Sequence, residues 1–448
     1  MTRSPSSAAS SPRTRSDADV APGAELLGRS QVMVGYALVC AVAAVATYGL
    51  CFVVRRLAVR FGAVVLPDER KVHAAPTPTA GGAAMFVAFL VAMAVAWRLP
   101  QFKDAFEGSS EPLGIILAVA AIFVVGLVDD LREVSAPAKL AGQVLAGSVL
   151  YFLGVTMFFF RVPFGDLISL SADLQPLVTV LWVVAIANAV NIIDGLDGLA
   201  AGIVLIAAAA FFIYSNRLFD AGLLGTENVG PLAAVIACGI CLGFLPHNMH
   251  PARIFMGDAG AMLLGVLMAS STIVAGGRID DEFSGQTYFF FAPMVIPFFI
   301  LGVPIVDTAF AVVRRAMRRT ALSVADKEHL HHRLMRLGHG HRRSVLILWA
   351  WTAILSALIL FPPFTGEGNA VIPFVAAGLG VGLYTLFHPV RQRTESPAVE
   401  AVYDFEAEDQ AARAANDREP GPPNPFGAGA ELADVVHMPQ RRRRTGRG

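Results

Sequence analysis

The sequence predicts an all-α polytopic membrane protein with about eleven transmembrane helices. Of its 448 residues, 55% are apolar and 16% are charged, and the mean hydropathy is +0.58. Apolar runs of roughly 17 to 25 residues, long enough to cross a hydrocarbon core of about 30 Å as helices, recur along most of the chain. Backbone groups in lipid must find their hydrogen bonds within the protein, so these runs are expected to be helices.

The helices are expected in the order in which the apolar runs occur. The predicted segments are 32 to 53, 80 to 97, 113 to 128, 137 to 154, 176 to 190, 198 to 214, 231 to 245, 259 to 275, 288 to 312, 344 to 362 and 370 to 388. Together they form a predicted membrane domain of residues 32 to 388. Residues 1 to 31 and 389 to 448 are polar or rich in Pro, Gly, Ala and Glu, so both are expected to be disordered tails.

The distribution of Lys and Arg predicts the orientation in the membrane. The loops that follow odd-numbered segments, up to residue 343, hold most of the basic residues. These loops are therefore expected in the cytoplasm, with the N-terminus outside and the C-terminus inside. The polar motifs GLVDDLRE, NAVNIIDGLDGL, RIFMGDAG and HLHHR all follow odd-numbered segments, which predicts one site at the inner membrane surface.

Charge and cysteine content exclude several classes of protein. The 35 basic residues balance the 35 acidic ones, so no overall field favours nucleic acid as a partner. The four cysteines lie inside apolar runs, which argues against a disulfide framework. Cys238 and Cys241 form a CxxC, and small core residues explain this spacing better than a redox pair does.

Asp129 and Asp130 are adjacent acids at the end of the third segment. The carboxyl end of a helix carries partial negative charge, so two carboxylates there lower stability. They are either a solvated helix end or a functional pair that binds a cation or transfers a proton.

The stretch NAVNIIDGLDGL carries a polar side chain at every third position, namely Asn188, Asn191, Asp194 and Asp197. This spacing places them along one side of a helix end and the turn that follows it. A single aspartate here is adequately explained as a helix cap. Four polar residues in register instead favour a ligand site.

Asp258, in FMGDAG, directly precedes an apolar run and is a natural helix N-cap. It also belongs to a set of Asn and Asp oxygens without Cys or His, and such hard ligands suit Mg²⁺ or Mn²⁺ rather than zinc. Asp258 with Asn191, assisted by Asp129 or Asp130, would form an open octahedral site. Water or phosphate oxygens would take the remaining positions.

The motif HLHHR, at residues 329 to 333, lies in a loop rich in arginine. Its histidines could suggest zinc, but Arg333 beside them would repel a metal and attract an anion. Phosphate binding is therefore the favoured interpretation. Lys71 in DERKVH and Lys139 at the start of the fourth segment add basic side chains on the same predicted face.

In this order, the motifs resemble those of the polyprenyl-phosphate N-acetylhexosamine-1-phosphate transferases of glycosyltransferase family 4. The resemblance rests on DERKVH with P-x-P-x-x-GG, the DD pair, NxxNxxDGxDGL, FMGD and HxHHR, and it covers about residues 32 to 388. It is strongest to the actinobacterial decaprenyl-phosphate GlcNAc branch. The branch that transfers phospho-MurNAc-pentapeptide has three consecutive histidines and an acid where this chain has HLHHR.

The resemblance implies transfer of GlcNAc-1-phosphate from UDP-GlcNAc to decaprenyl or undecaprenyl phosphate, giving polyprenyl-diphospho-GlcNAc and UMP. This would be the first membrane step of a cell-wall or surface polysaccharide, at the cytoplasmic face of a bacterial plasma membrane. The resemblance also allows a homodimer.

The resemblance assigns roles residue by residue. The implied ligands of Mg²⁺, or of Mn²⁺, are Asn191 and Asp258. The implied catalytic acids are Asp129, Asp130, Asp194 and Asp197. The implied substrate-binding residues are Lys71, Lys139, Asn188, His329, His331, His332 and Arg333.

Four alternatives stay open at this level. Asp129 is either a base or a group that orients the lipid phosphate, and an aspartyl-phosphate route competes with direct transfer. The pentapeptide branch is a second activity, which HLHHR disfavours. A cation-coupled transporter is a different class, but transporter sites usually lie near the bilayer midplane within repeats, whereas these motifs cluster at one surface.

Overall fold

A computed structural model describes residues 22–61, 64–65, 77–132, 134–161, 167–276, 334–335, 339–365 and 372–387. All of these residues belong to the compact unit Met1–Val390. The predicted ninth segment and the predicted tail after residue 388 lie outside the described residues.

The described part of the chain is helical apart from two small hairpins. Its helices are α1 Pro22–Phe61, α2 Gly81–Arg98, α3 Lys103–Glu107, α4 Glu111–Leu131, α5 Ala136–Phe152, α6 Leu174–Ile193, α7 Leu199–Asp220, α8 Gly230–Asn248, α9 Gly257–Gly276, α10 His341–Thr365 and α11 Ile372–Phe387. A 3₁₀ turn, Pro100–Phe102, precedes α3. The antiparallel hairpins pair β1 Val64–Val65 with β2 Thr77–Pro78, and β3 Phe159–Arg161 with β4 Leu167–Ser169.

The predicted multi-pass membrane architecture is confirmed by helix length and composition. Within the described residues, 7 helices are long and apolar enough to cross a membrane. They are α1, α2, α4, α6, α7, α8 and α9. With 17 and 16 residues, α5 and α11 are shorter than a typical span. The count of eleven spans stays a prediction.

The first helix is longer than the predicted segment of residues 32 to 53. It begins at Pro22, so residues 22 to 31 are helical and do not belong to the predicted N-terminal tail. Proline suits the first turn of a helix, and the Ala, Glu and Leu residues that follow it are good helix formers. This local preference outweighs the polar composition of the stretch.

Helix α9 lies at the centre of the bundle, with 94% of its apolar, membrane-spanning stretch buried inside the protein. Small residues let its neighbours approach closely, as in other membrane bundles. A Cβ at Gly126 of α4 would collide with Ala259, and one at Gly265 would lie 2.6 Å from the Cα of Ala187 on α6. The carboxyl ends of α4 and α6 are thereby held near the amino end of α9.

Helix α10 packs against the amino end of α7. A Cβ at Gly202 would collide with the indole of Trp349, so this contact requires glycine. The indole N–H of Trp349 also donates a hydrogen bond to the carbonyl of Leu199 at 3.4 Å. The start of α10 therefore lies beside the turn between α6 and α7.

Candidate active site

An ammonium group joins two carboxylates where α4, α5 and α9 meet. Lys139 Nζ, in the first turn of α5, lies 2.7 Å from Asp129 Oδ2 at the end of α4. The same nitrogen pairs with Asp258 at the start of α9. All three side chains are largely but not fully buried, so the cluster is still open to ligands.

Asp130 fixes the start of α9. Its carboxylate accepts hydrogen bonds from the backbone N–H groups of Asp258 at 2.8 Å and Ala259 at 3.1 Å. These are first-turn amides, which have no partner within their own helix. Gly257 has a φ of +68°, and a Cβ there would lie 2.5 Å from Asp130 Oδ2. Glycine is therefore required where the end of α4 meets the start of α9. Asp130 thus positions Asp258 through the backbone.

Each carboxylate oxygen of Asp129 has a partner of its own. Its Oδ1 accepts a hydrogen bond from the backbone N–H of Val134 at 2.8 Å, while Oδ2 faces Lys139. The first contact closes the turn between α4 and α5. The second leaves the carboxylate next to Lys139, which the resemblance implies as a substrate-binding residue.

Asp194 follows α6 directly and brings another carboxylate to the same place. Its side chain is partly exposed, but protein surrounds it, and burial raises its pKa well above the usual range. The carboxylates of Asp258, Asp130 and Asp197, in that order, raise this pKa further. The shift shows that acids from three separate elements act on one another here.

The two asparagines of the motif differ in their surroundings. Asn188 is engaged with Gln143 on α5, since its Nδ2 donates to Gln143 Oε1 at 2.7 Å and also to the Val184 carbonyl at 2.8 Å. Gln143 returns a hydrogen bond to Asn188 Oδ1 at 3.2 Å. Both side chains are partly exposed, and Asn191 lies nearer the end of α6. Asn191 is therefore the better placed of the two to reach a ligand.

Asp197 faces a different set of groups from Asp194. Its Oδ2 lies 2.7 Å from His250 Nδ1 and 3.1 Å from the backbone nitrogen of Ala252. His341 Nε2, in the first turn of α10, lies 3.9 Å from the same oxygen. The sequence interpretation missed both histidines because it concentrated on HLHHR. His341 lies in HGHRR, which directly precedes the predicted segment of residues 344 to 362.

The turn after α6 is also tied to the loop between α8 and α9. Asn248 Oδ1 accepts a hydrogen bond from the Gly198 N–H at 2.9 Å, and its Nδ2 donates to the Ile254 carbonyl at 3.0 Å. Gly198 adopts a φ of +76°, which favours glycine. One amide thus joins the segment that carries Asp194 to the segment that leads to Asp258.

The remaining predicted site residues lie outside the described residues, and their roles stay predictions. They are Lys71, His329, His331, His332 and Arg333.

The sequence is similar to those of known proteins. The chain is 40% identical over 338 residues to the decaprenyl-phosphate N-acetylglucosaminephosphotransferase of Mycolicibacterium smegmatis, covering 73% of this chain and 83% of that relative. Residues 112–276 match the family described as glycosyl transferase family 4. The chain belongs to this family.

Two further relatives are similar to this chain at lower identity. The chain is 35% identical over 311 residues to a probable undecaprenyl-phosphate N-acetylglucosaminyl 1-phosphate transferase of Bacillus subtilis, covering 69% of this chain and 80% of the relative. It is 29% identical over 319 residues to the phospho-N-acetylmuramoyl-pentapeptide-transferase of Clostridioides difficile, covering 68% and 90%. Similarity is thus greater to these two N-acetylglucosamine relatives than to this pentapeptide relative.

Proposed function

We propose that the protein transfers GlcNAc-1-phosphate from UDP-GlcNAc to a polyprenyl phosphate, decaprenyl or undecaprenyl, and releases UMP. The product, polyprenyl-diphospho-GlcNAc, would begin a cell-wall or surface polysaccharide. The observation that carries the proposal is the meeting of Lys139 with Asp129 of α4 and Asp258 of α9. The names of the relatives at 40% and 35% identity support this choice of substrates.

The donor set fits a hard divalent cation. Its carboxylates are those of Asp129, Asp130, Asp194 and Asp258, and Lys139 supplies an ammonium group. Two phosphorylated substrates would bring further negative charge to these carboxyl groups, so a cation is needed to hold them together. Asn191 and Asp258 would hold Mg²⁺, or Mn²⁺, because amide and carboxylate oxygens are suitable ligands. When bound, such an ion would supply charge neutralisation for the diphosphate and for the UMP that leaves.

The proposed step is displacement at the phosphorus that carries GlcNAc. An oxygen of the lipid phosphate forms a bond to that phosphorus, and the bond to the bridging oxygen breaks, its electron pair leaving with UMP. Lys139 would neutralise phosphate oxygens during this exchange. A phosphate monoester has a second pKa of about 6, so the acceptor is largely dianionic at neutral pH. Asp129 is therefore proposed to orient the acceptor rather than to remove a proton.

The topology of the membrane domain, residues 32 to 388, is part of the proposal. The site lies where α4 and α6 end and α5 and α9 begin, so these elements reach one side of the membrane. The basic loops favour the cytoplasmic side. We propose eleven spans, with the N-terminus outside, the C-terminus inside and the site at the inner face of a bacterial plasma membrane.

The test is a transfer assay with purified protein in detergent, supplied with UDP-GlcNAc, decaprenyl phosphate and Mg²⁺. We expect UMP release together with a GlcNAc-bearing lipid, loss of both on chelation, and recovery with Mg²⁺ or Mn²⁺. UDP-MurNAc-pentapeptide serves as the competing donor. Turnover of that donor alone would replace the proposal with the pentapeptide activity, and no UMP from either donor would contradict transferase function.

A further inference from the structure

We propose that His250 is a positioning residue for the transfer reaction and acts by holding Asp197. This inference rests on the proposed function, because the effect of His250 on transfer is its main measurement. Asp197, His250 and His341 come from the α6–α7 turn, the α8–α9 loop and the start of α10. We call these three residues the Asp197 clasp.

The burial of Asp197 indicates that it acts within the protein. Its side chain is 1% exposed, whereas that of His250 is 38% exposed. A carboxylate removed from water must be compensated by hydrogen bonds or charge. His250 Nδ1 at 2.7 Å and the Ala252 N–H at 3.1 Å supply this compensation to a single oxygen. Asp197 therefore binds the loop, and little of its side chain is exposed to reach a substrate.

The loop held by the clasp leads directly into the active site. It runs from the end of α8 at Asn248 to Gly257, which precedes Asp258. Its far end is anchored by hydrogen bonds from the Phe255 N–H to the Pro78 carbonyl and from the Gly81 N–H to the Phe255 carbonyl, both 2.9 Å. Loss of the clasp would leave the near end of the loop held by Asn248 and by the hydrogen bond from the Arg253 N–H to the His247 carbonyl. The Asp194 turn and Asp258 would then be less firmly fixed relative to each other.

Helix α10 supports His250 from its other side. The rings of His250 and His341 lie face to face, with centroids 4.2 Å apart and planes at 26°. Arg342 Nη2 donates a hydrogen bond to the His250 carbonyl at 3.0 Å. The clasp thus connects the α6–α7 turn to α10, a helix that contributes no predicted ligand.

A metal site made of the same three residues is the competing interpretation. The possible ligand atoms of Asp197, His250 and His341 lie within 4.8 Å of one another. A ligating imidazole, however, keeps the metal in its own ring plane, at roughly 2.0–2.1 Å from the nitrogen. Two rings that overlap face to face with only 26° between their planes have planes that meet well beyond that reach. The observed geometry therefore fits a hydrogen-bonded clasp.

Two amide replacements separate the possible roles of His250. The side-chain nitrogen of asparagine can take the place of Nδ1, whereas that of glutamine reaches the place of Nε2. If the donor to Asp197 is what matters, His250→Asn should work and His250→Gln should not. The transfer assay, with kcat and KM for UDP-GlcNAc measured separately, provides the comparison.

We expect His250→Ala to lower kcat about 10- to 100-fold, as for other residues that orient a site indirectly, with KM for UDP-GlcNAc changed by less than about threefold. His250→Asn should recover most of kcat and His250→Gln little of it. His247→Ala is the matched control, since His247 lies at the end of α8, just before the loop that carries His250, and bonds the Tyr48 carbonyl. It should lower the melting temperature while the folded protein keeps its kcat.

Other outcomes would overturn the clasp. Recovery by glutamine alone would make His250 a substrate contact, and equal losses in all variants that follow melting temperature would make it a general stabilising residue. A stoichiometric transition metal, lost in His250→Ala, would establish the metal site. If the wild type transfers nothing, the proposed function fails by itself. The clasp then still predicts that the melting-temperature losses of Asp197→Asn and His250→Ala are not additive.

Discussion

Replacement of Lys139 by alanine is expected to reduce the rate of UMP release at least about 10²- to 10³-fold. Lys139 places its ammonium between Asp129 and Asp258. Without it, the two carboxylates lose their shared counter-charge, and the incoming phosphates meet a more negative site. The measurement is the initial rate of UMP release with UDP-GlcNAc, polyprenyl phosphate and Mg²⁺.

Two further lysine variants make the result specific. Lys103→Ala removes an exposed lysine of α3, whose described ion pair is with Glu107 at 3.7 Å, and it should leave the rate unchanged. Lys139→Arg keeps the charge but replaces a compact ammonium with a planar fork, so it should recover only part of the rate. A Lys139→Ala protein that retains a rate within about threefold of the wild type, well short of the loss expected for one such group, would remove Lys139 from the site.

Replacement of Asp258 by alanine is the second change with a large expected effect. Asp258 is a proposed ligand of the divalent cation and also a partner of Lys139. We expect UMP release to fall more than about 10²-fold, as for the loss of a group that stabilises developing charge. Raising the Mg²⁺ concentration should not restore it. Asp173→Ala is the control, because Asp173 is an exposed acid directly before the amino end of α6, whereas the site lies at the carboxyl end of that helix.

The fold should survive the loss of Asp258. Asp130 holds the start of α9 through the backbone N–H groups of Asp258 and Ala259, and alanine keeps these groups. The melting temperature of Asp258→Ala in detergent should therefore remain close to that of the wild type. A large fall in melting temperature together with activity would indicate a structural role for the side chain instead.

Hydrophobic pattern and motif spacing predicted much of this protein. Lipid imposes helices on long apolar runs, and each predicted run within the described residues is helical. The proximity of Asp129, Lys139, Asp194 and Asp258 was also expected from their common membrane face, although their catalytic roles stay predictions. Both results depend on simple constraints, namely segment length and the side of the membrane.

Tertiary contacts decided what spacing could not. Asp194 and Asp197 have equivalent places in the three-residue repeat, yet the first faces the acidic cluster and the second faces His250. Helix α6 ends at Ile193, so both residues lie on the turn that follows and not on one helix face. Asn188 is likewise engaged by Gln143 on α5, a partner that no local pattern indicates.

The short helix α3 illustrates a second limit. Residues 103–107 are too few and too polar to give an apolar signal. A contact from another part of the chain accompanies the helix, since the Thr226 hydroxyl donates to Asp104 Oδ2 at 3.2 Å. Contacts between distant segments of this kind have no signature in either of the sequences that they join.

In the proposed site, groups from separate helices bind one divalent cation beside the sugar nucleotide. Electron paramagnetic resonance of Mn²⁺, titrated into the purified protein in the presence of UMP, measures this binding. We predict one bound Mn²⁺ per chain, with binding strongly weakened in Asp258→Ala and Asn191→Ala and unchanged in Asp173→Ala. Binding that is the same in all four proteins would contradict the proposed site.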